Sequence, residues 1–179
     1  KQTNPTLIDD LIPGTISLGY LEKVLCLLLR EGVPIRDMET ILETLGDHAG
    51  ALKDIDIVTE YVRQALKRTI TRRFAEANSL RVITVDPKVE DTIVASVKKS
   101  EAGSYLAMDP DLIQKIVNIT SGEIDKVKDV IPNIIILTSP IVRIYFKKLI
   151  DQFIPNITVL SYSEIDNTAQ IQAIGNIAM

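Results

Sequence analysis

Val33-Pro34-Ile35-Arg36-Asp37-Met38-Glu39-Thr40-Ile41-Leu42-Glu43-Thr44-Leu45 reads as a turn followed by an amphipathic helix. Ile35, Met38, Leu42 and Leu45 share one face at helical spacing, with Ile41 at its edge. Arg36, Glu39, Thr40, Glu43 and Thr44 point away. Pro34 fits the start of a helix and pushes Val33 toward an extended conformation. Asp37 is expected in the first turn, where the helix dipole favours a negative charge. The apolar face alone accounts for a core helix. It does not account for Arg36 and Asp37 side by side where the helix begins.

Upstream, Pro5–Leu11 reads as the end of a helix stopped by Pro13-Gly14. Ser17 caps a helix to about Arg30, with Leu18, Leu21, Leu25, Leu28 and Leu29 as its stripe and Val24 and Leu27 widening it. So apolar a helix is expected to pack on more than one side, and Gly32 closes it. Downstream, a helix is expected from Asp54 or Asp56 to about Ala77. The first part is thus all-helical.

Near Leu80 the period changes. Leu80–Val85 has strand composition. Asp86-Pro87 and Asp109-Pro110 each open a helix with an acidic cap and proline at its first position. The first is lined by Val89, Ile93 and Val97. The second runs to about Asp129, with Leu112, Ile113, Ile116 and Val117 on its apolar face. Ile134–Thr138 is a short continuous apolar strand, Ser139-Pro140 opens the next helix, and Ile157–Leu160 and Gln170–Ile177 read as further strands. The expectation is an α + α/β chain: a helical subdomain over 1–78 and a small α/β sandwich over 79–179 with at least one parallel pair.

Composition narrows the function classes. The chain has 179 residues, 46% hydrophobic and only 4% aromatic, with no Trp, so its core is aliphatic. A net charge of −4 argues against a nucleic-acid binder. The single Cys26 excludes an internal disulfide, and its apolar helix suggests an inert thiol. The longest apolar run, Val24–Leu29, is far short of the roughly 20 residues of a membrane span. His48, the one histidine, has no second ligand to build a zinc site. Gly14–Gly19 has P-loop glycine spacing but continues with Tyr20-Leu21, without the phosphate-binding lysine. No nucleophile elbow or dinucleotide fingerprint is present. The pattern thus predicts no catalytic residue, no cofactor and no metal. Lys67, Arg68, Arg72 and Arg73 form a basic cluster late in a helix, read as a solvated face or a contact to an acidic partner or a second copy. Glu39 and Glu43 read as a solvated edge.

Several stretches in one order carry a resemblance. Leu11-Ile12-Pro13-Gly14, Pro34–Leu45, Gly103–Pro110, Leu137–Arg143 and Leu160–Ile165 together resemble the cytoplasmic C-terminal part of FlhA-type proteins. These are the FHIPEP family of type III export gates, flagellar and injectisome. The resemblance implies a non-enzymatic part of a flagellar export gate, forming a ring below the membrane, nonameric in the family. It implies docking of chaperone–substrate complexes and export components, with energy supplied elsewhere. The family's main chaperone groove falls in subdomains before Lys1, which leaves ring-building surfaces in this chain. The chain begins at Lys1 and is expected to be the last portion of a longer protein whose membrane-spanning half precedes it. Membrane contact is expected only through that half, at the cytoplasmic face of the bacterial inner membrane. Arg36, Asp37 and Arg143 are the candidates for protein interaction, with an intramolecular ion pair or cap as the alternative for each. A small-ligand α/β enzyme and a soluble adaptor are the competing readings.

Overall fold

The computed structural model describes residues 11–12, 14–100 and 103–179. The expected helix over Pro5–Leu11 falls, apart from Leu11, outside them. The chain forms two compact units, Lys1–Phe74 and Ala75–Met179.

The first unit is helical: α1 (Leu18–Arg30), α2 (Met38–His48), α3 (Ile55–Ala65) and α4 (Lys67–Phe74). Ser17 caps α1, its Oγ accepting from the Tyr20 N–H at 3.1 Å, and Gly32 follows in the left-handed region at φ +70. The expectation of packing on several sides fails. Only Val24 and Leu28 of α1 are fully buried, whereas Leu18 and Leu29 are 69% and 53% exposed and Cys26 is exposed. Within the unit α1 leans on α3, so one stripe is covered and the rest of its apolar surface is left outside.

The start of α2 also differs from the sequence reading. Val33–Asp37 is not helical, and Asp37 is the N-cap rather than a first-turn residue. Its Oδ1 accepts from the Thr40 N–H at 3.2 Å and its Oδ2 from the Thr40 hydroxyl at 2.9 Å. A residue holding the cap has non-helical backbone, here φ −79 and ψ 67, so the helix begins after it and Pro34 lies in the non-helical segment before it. The core face is rotated accordingly: Ile41, Leu42 and Leu45 are buried, and Ile41 lies in the core, not at an edge. The single helix expected from Asp54 to Ala77 is two helices parted at Leu66. That residue is buried, and no Gly or Pro marks the break. α4 stops at Phe74 because Glu76–Ser79 forms a tight turn. Glu76 and Ser79 exchange both backbone hydrogen bonds, at 2.9 Å each, across Ala77 and Asn78 at φ 46 and 62. Two successive positive φ values define a type I′ hairpin turn.

The second unit is α/β: β1 (Ser79–Val85), α5 (Pro87–Ala95), β2 (Val97–Ser100), β3 (Gly103–Leu106), α6 (Pro110–Val127), β4 (Ile135–Thr138), α7 (Pro140–Asp151), β5 (Thr158–Ser161) and β6 (Gln170–Ile177). Its four-stranded sheet has the order β5-β4-β1-β6, and all three pairings are parallel. β4 is buried throughout, as a strand covered on both faces requires. Asp86 and Asp109 cap α5 and α6 with their carboxylates, accepting from the N–H groups of Lys88 and Asp111 at 2.9 and 2.8 Å. Ser139 precedes α7 without capping it through its side chain. Its N–H instead donates to Glu90 Oε1 at 2.6 Å, which ties α7 to α5. Ile83, Val89, Ile93, Ile116, Phe146 and Val159 centre the core, each side chain adding roughly 1.5–3 kcal/mol of hydrophobic stabilisation.

The faces of α5 and α6 differ from the sequence pattern. Val97 does not line α5. It opens the two-stranded β2–β3 hairpin, opposite Leu106. Lys98, Lys99 and Ser100 give that strand no apolar alternation, which is why the sequence pattern does not show it. In α6 the buried line is Ile116, Val117, Thr120 and Ile124, and Leu112 stands 36% exposed beyond it.

Candidate functional site

The sequence grouped Arg36, Asp37 and Arg143. Arg36 and Asp37 are both exposed on the segment leading into α2, where the Asp37 carboxylate is engaged by Thr40. Arg143 lies in the other unit and is fully buried. Its Nε is 3.8 Å from Glu164 Oε1, its Nη1 donates to the Val159 carbonyl at 3.2 Å, and Glu164 Oε2 accepts from the Ser161 N–H at 2.7 Å. α7 supplies the arginine, and the turn after β5 supplies the carboxylate. This arrangement fixes that turn to the sheet, and a residue with no exposed surface presents nothing to a partner. Of the three, only Arg36 and Asp37 have surface to offer.

The helical unit carries charge in two stripes. On α2, Glu39, Glu43 and Asp47 are exposed at i, i+4, i+8 and so line one side of the helix. On α4, Arg68, Arg72 and Arg73 are exposed, with Arg73 over the Phe74 ring at 5.7 Å. Elsewhere in the unit charge is paired: Arg63 of α3, 1% exposed, meets Glu31 at the end of α1 at 3.3 Å.

A groove of about 440 Å³ runs between α1 and the start of α3. Leu27 and Ile55 floor it, and Glu22, Lys23, Arg30 and Asp56 rim it. Cys26 opens into it, so the thiol is exposed rather than sheltered by its helix. Tyr20 stands on the same helix. Burial first, and the negative charge of Asp54 second, raise its hydroxyl above the usual tyrosine pKa. Its oxygen meets no hydrogen-bond partner among the described residues. His48 stacks on Tyr61 with centroids 4.2 Å apart. Among the described residues no group of three or more His, Cys, Asp and Glu is placed to hold a metal. None of the helices there is long and apolar enough to cross a membrane. The surface therefore offers charged stripes, a shallow groove and exposed aliphatic side chains, the materials of protein contacts. The sequence had signalled the basic stripe but not the exposure of Leu18 and Leu29, because periodicity shows which residues are apolar and not whether a partner element covers them.

Residues 1–170 match the family described as FHIPEP. The chain belongs to the FHIPEP family. It is 39% identical over 176 residues to the flagellar biosynthesis protein FlhA of Bacillus subtilis, covering 98% of this chain and 26% of that protein. Among solved structures, the Chlamydia pneumoniae CdsV protein superposes with a TM-score of 0.89 at 34% identity, covering 99% of this chain and 51% of that one. The nonameric EscV cytosolic domain of a type III secretion system superposes with a TM-score of 0.79 at 30% identity, covering 97% and 51%. CdsV has also been solved in complex with the CdsO protein. The chain thus spans about a quarter of its FHIPEP relative FlhA and about half of the solved domains, and it shares their α + α/β fold.

Proposed function

We propose that this chain is part of the cytoplasmic portion of a flagellar type III export gate. In this reading it builds a ring with eight other copies beneath the bacterial inner membrane, and there it helps dock chaperone–substrate complexes and export components. The observation that carries the reading is 39% identity to a flagellar FlhA over 98% of the chain, with a nonameric assembly among its structural relatives. The helical unit supports the ring. A closed head-to-tail ring joins two different surfaces of one chain. The acidic stripe of α2 and the basic stripe of α4 are two such surfaces of opposite sign, on one unit. Complementary charge of this kind sets orientation and partner choice more than raw affinity. Arg36 and Asp37, exposed beside the acidic stripe, belong to the same contact. Partners come to the ring as proteins; nucleic acid has no part in this reading, and membrane contact falls to residues outside this chain.

The test is a chimera. The corresponding segment of Bacillus subtilis FlhA is replaced by this chain in a strain lacking its own FlhA, and swimming and secreted flagellin are measured. Restored motility supports the reading. A stable, membrane-associated chimera that secretes no flagellin contradicts it.

A further inference from the structure

The sheet of the second unit has two edges, and they are treated differently. β5 forms one: it is four residues long, and all but its first residue are buried. β6 forms the other: it is eight residues long, and Gln170–Ala173 are exposed. Its inner side is fastened to β1. Gln170 donates its N–H to the Asn78 carbonyl and Asp86 donates to the Ile177 carbonyl, both at 2.9 Å. The Asn78 side-chain amide donates to the Thr168 carbonyl at 2.7 Å. Because Gln170 turns its N–H toward β1, the alternation of a strand turns the backbone groups of Ile171 and Ala173 outward. Among the described residues no strand pairs with that side.

Exposed edges are commonly blunted by charged side chains, proline or a bulge. From Gln170 to Met179 there is no Asp, Glu, Lys, Arg or Pro, in a chain that is 25% charged. Only a bulge at Ile174 interrupts the edge, where Ala173 pairs with Val82 and Gly175 with Ile83. The half of β6 before the bulge is uncharged and exposed.

We infer that the outer edge of β6 binds an extended, uncharged stretch of another polypeptide, which adds to the sheet as a further strand. The inference deepens the export reading and rests on it for the source of that stretch, a polypeptide on its way through the gate. A second copy's β6 fits less well. Strand-to-strand pairing of identical edges is a two-fold contact, whereas a nine-membered ring closes through head-to-tail contacts. One strand pair is also small beside the roughly 1,600 Å² of a stable interface. A strand added through main-chain hydrogen bonds is read with little regard to its side chains, which suits a site that many different chains must use and leave.

The probe is a ten-residue peptide of alternating Thr and Val with a terminal Lys at each end, added to the full 179-residue chain, with amide exchange followed by NMR. The peptide is expected to slow exchange at Ile171 and Ala173. A version N-methylated at alternate residues is expected to fail, because it cannot donate to the edge. Ala173→Pro removes an outward N–H. Ile171→Lys, which leaves the backbone intact should the proline variant not fold, places a charge on the edge. Each is expected to weaken binding by about tenfold. Unchanged exchange at Ile171 and Ala173, or equal binding of the N-methylated peptide, overturns the inference. Protection that grows with protein concentration in the absence of peptide also overturns it and assigns the edge to a second copy. The export reading is judged separately: a chimera that restores motility while the chain ignores the peptide loses only this inference.

Discussion

Arg143 and Glu164 face each other inside the α/β unit, Nε to Oε1 at 3.8 Å, and neither side chain has any exposed surface. A charge buried this completely depends on its partner, and removing one leaves the other desolvated and uncompensated. Arg143→Ala is expected to destabilise the protein by about 3–5 kcal/mol, while replacing the pair together with Met and Leu costs far less. Urea unfolding of the single and double variants checks this. Equal losses would mean the pairing is not what holds the turn after β5.

Asp37 caps α2, and Arg36 beside it is exposed. Asp37→Ala is therefore expected to cost about 1 kcal/mol of stability and Asp37→Asn much less, since Asn also caps. Arg36→Glu is expected to leave the unfolding midpoint unchanged and to reduce flagellin secretion. If both folding and secretion are intact in that variant, Arg36 has no role at a partner surface.

Ala77 sits at φ 46 in the type I′ turn before β1. A side chain with a Cβ pays roughly 1–2 kcal/mol in the left-handed region. Glycine relieves that strain but adds roughly 0.4–1 kcal/mol of freedom to the unfolded chain. The relief exceeds the entropy, so Ala77→Gly is expected to stabilise the protein by somewhat under about 1 kcal/mol. Calorimetry decides it, and a lowered melting temperature would show that the turn is not strained.

The raised pKa of Tyr20 sets an alkaline limit. Its hydroxyl stays protonated in the folded state at a pH where the unfolded chain already loses that proton, so the unfolded state binds fewer protons and stability falls with rising pH. The contribution is complete below about pH 10, the ordinary tyrosine value, and is lost as pH rises through the folded pKa. Tyr20→Phe is expected to remove this share of the alkaline loss while changing neutral stability little, because the hydroxyl has no partner among the described residues to lose. Urea midpoints between pH 8 and 11 compare the two proteins, and parallel curves would show that Tyr20 is not the titrating group.

What the sequence disclosed was what is written locally. Asp86-Pro87 and Asp109-Pro110 announce helix starts because cap and proline are adjacent, and Ile134–Thr138 announces a buried strand because five apolar or small residues stand in a row. Pro34 misled by four residues, because proline is compatible with the non-helical segment before a cap as well as with the first turn of a helix, and the Asp37 cap decided between them. The β2–β3 hairpin was hidden because Lys98 and Lys99 are exposed and show no alternation. Arg143 drew attention as a charge near a helix start. Its burial depends on Glu164 arriving from beyond β5, and that long-range fact has no local signature. The exposed stripes of α2 and α4 were visible as charge patterns.

The most direct measurement is a charge exchange on those stripes in the full protein as the cell makes it. Arg72→Glu and Glu43→Lys are introduced singly and together, and assembly is followed by cross-linking between subunits and by flagellin secretion. The ring reading expects each single reversal to weaken both, by about tenfold or more, and the double variant to recover much of the loss, as coupled residues across one contact do. Full assembly and secretion in both single variants, or losses that simply add in the double variant, would contradict a ring closed by α2 of one copy against α4 of the next.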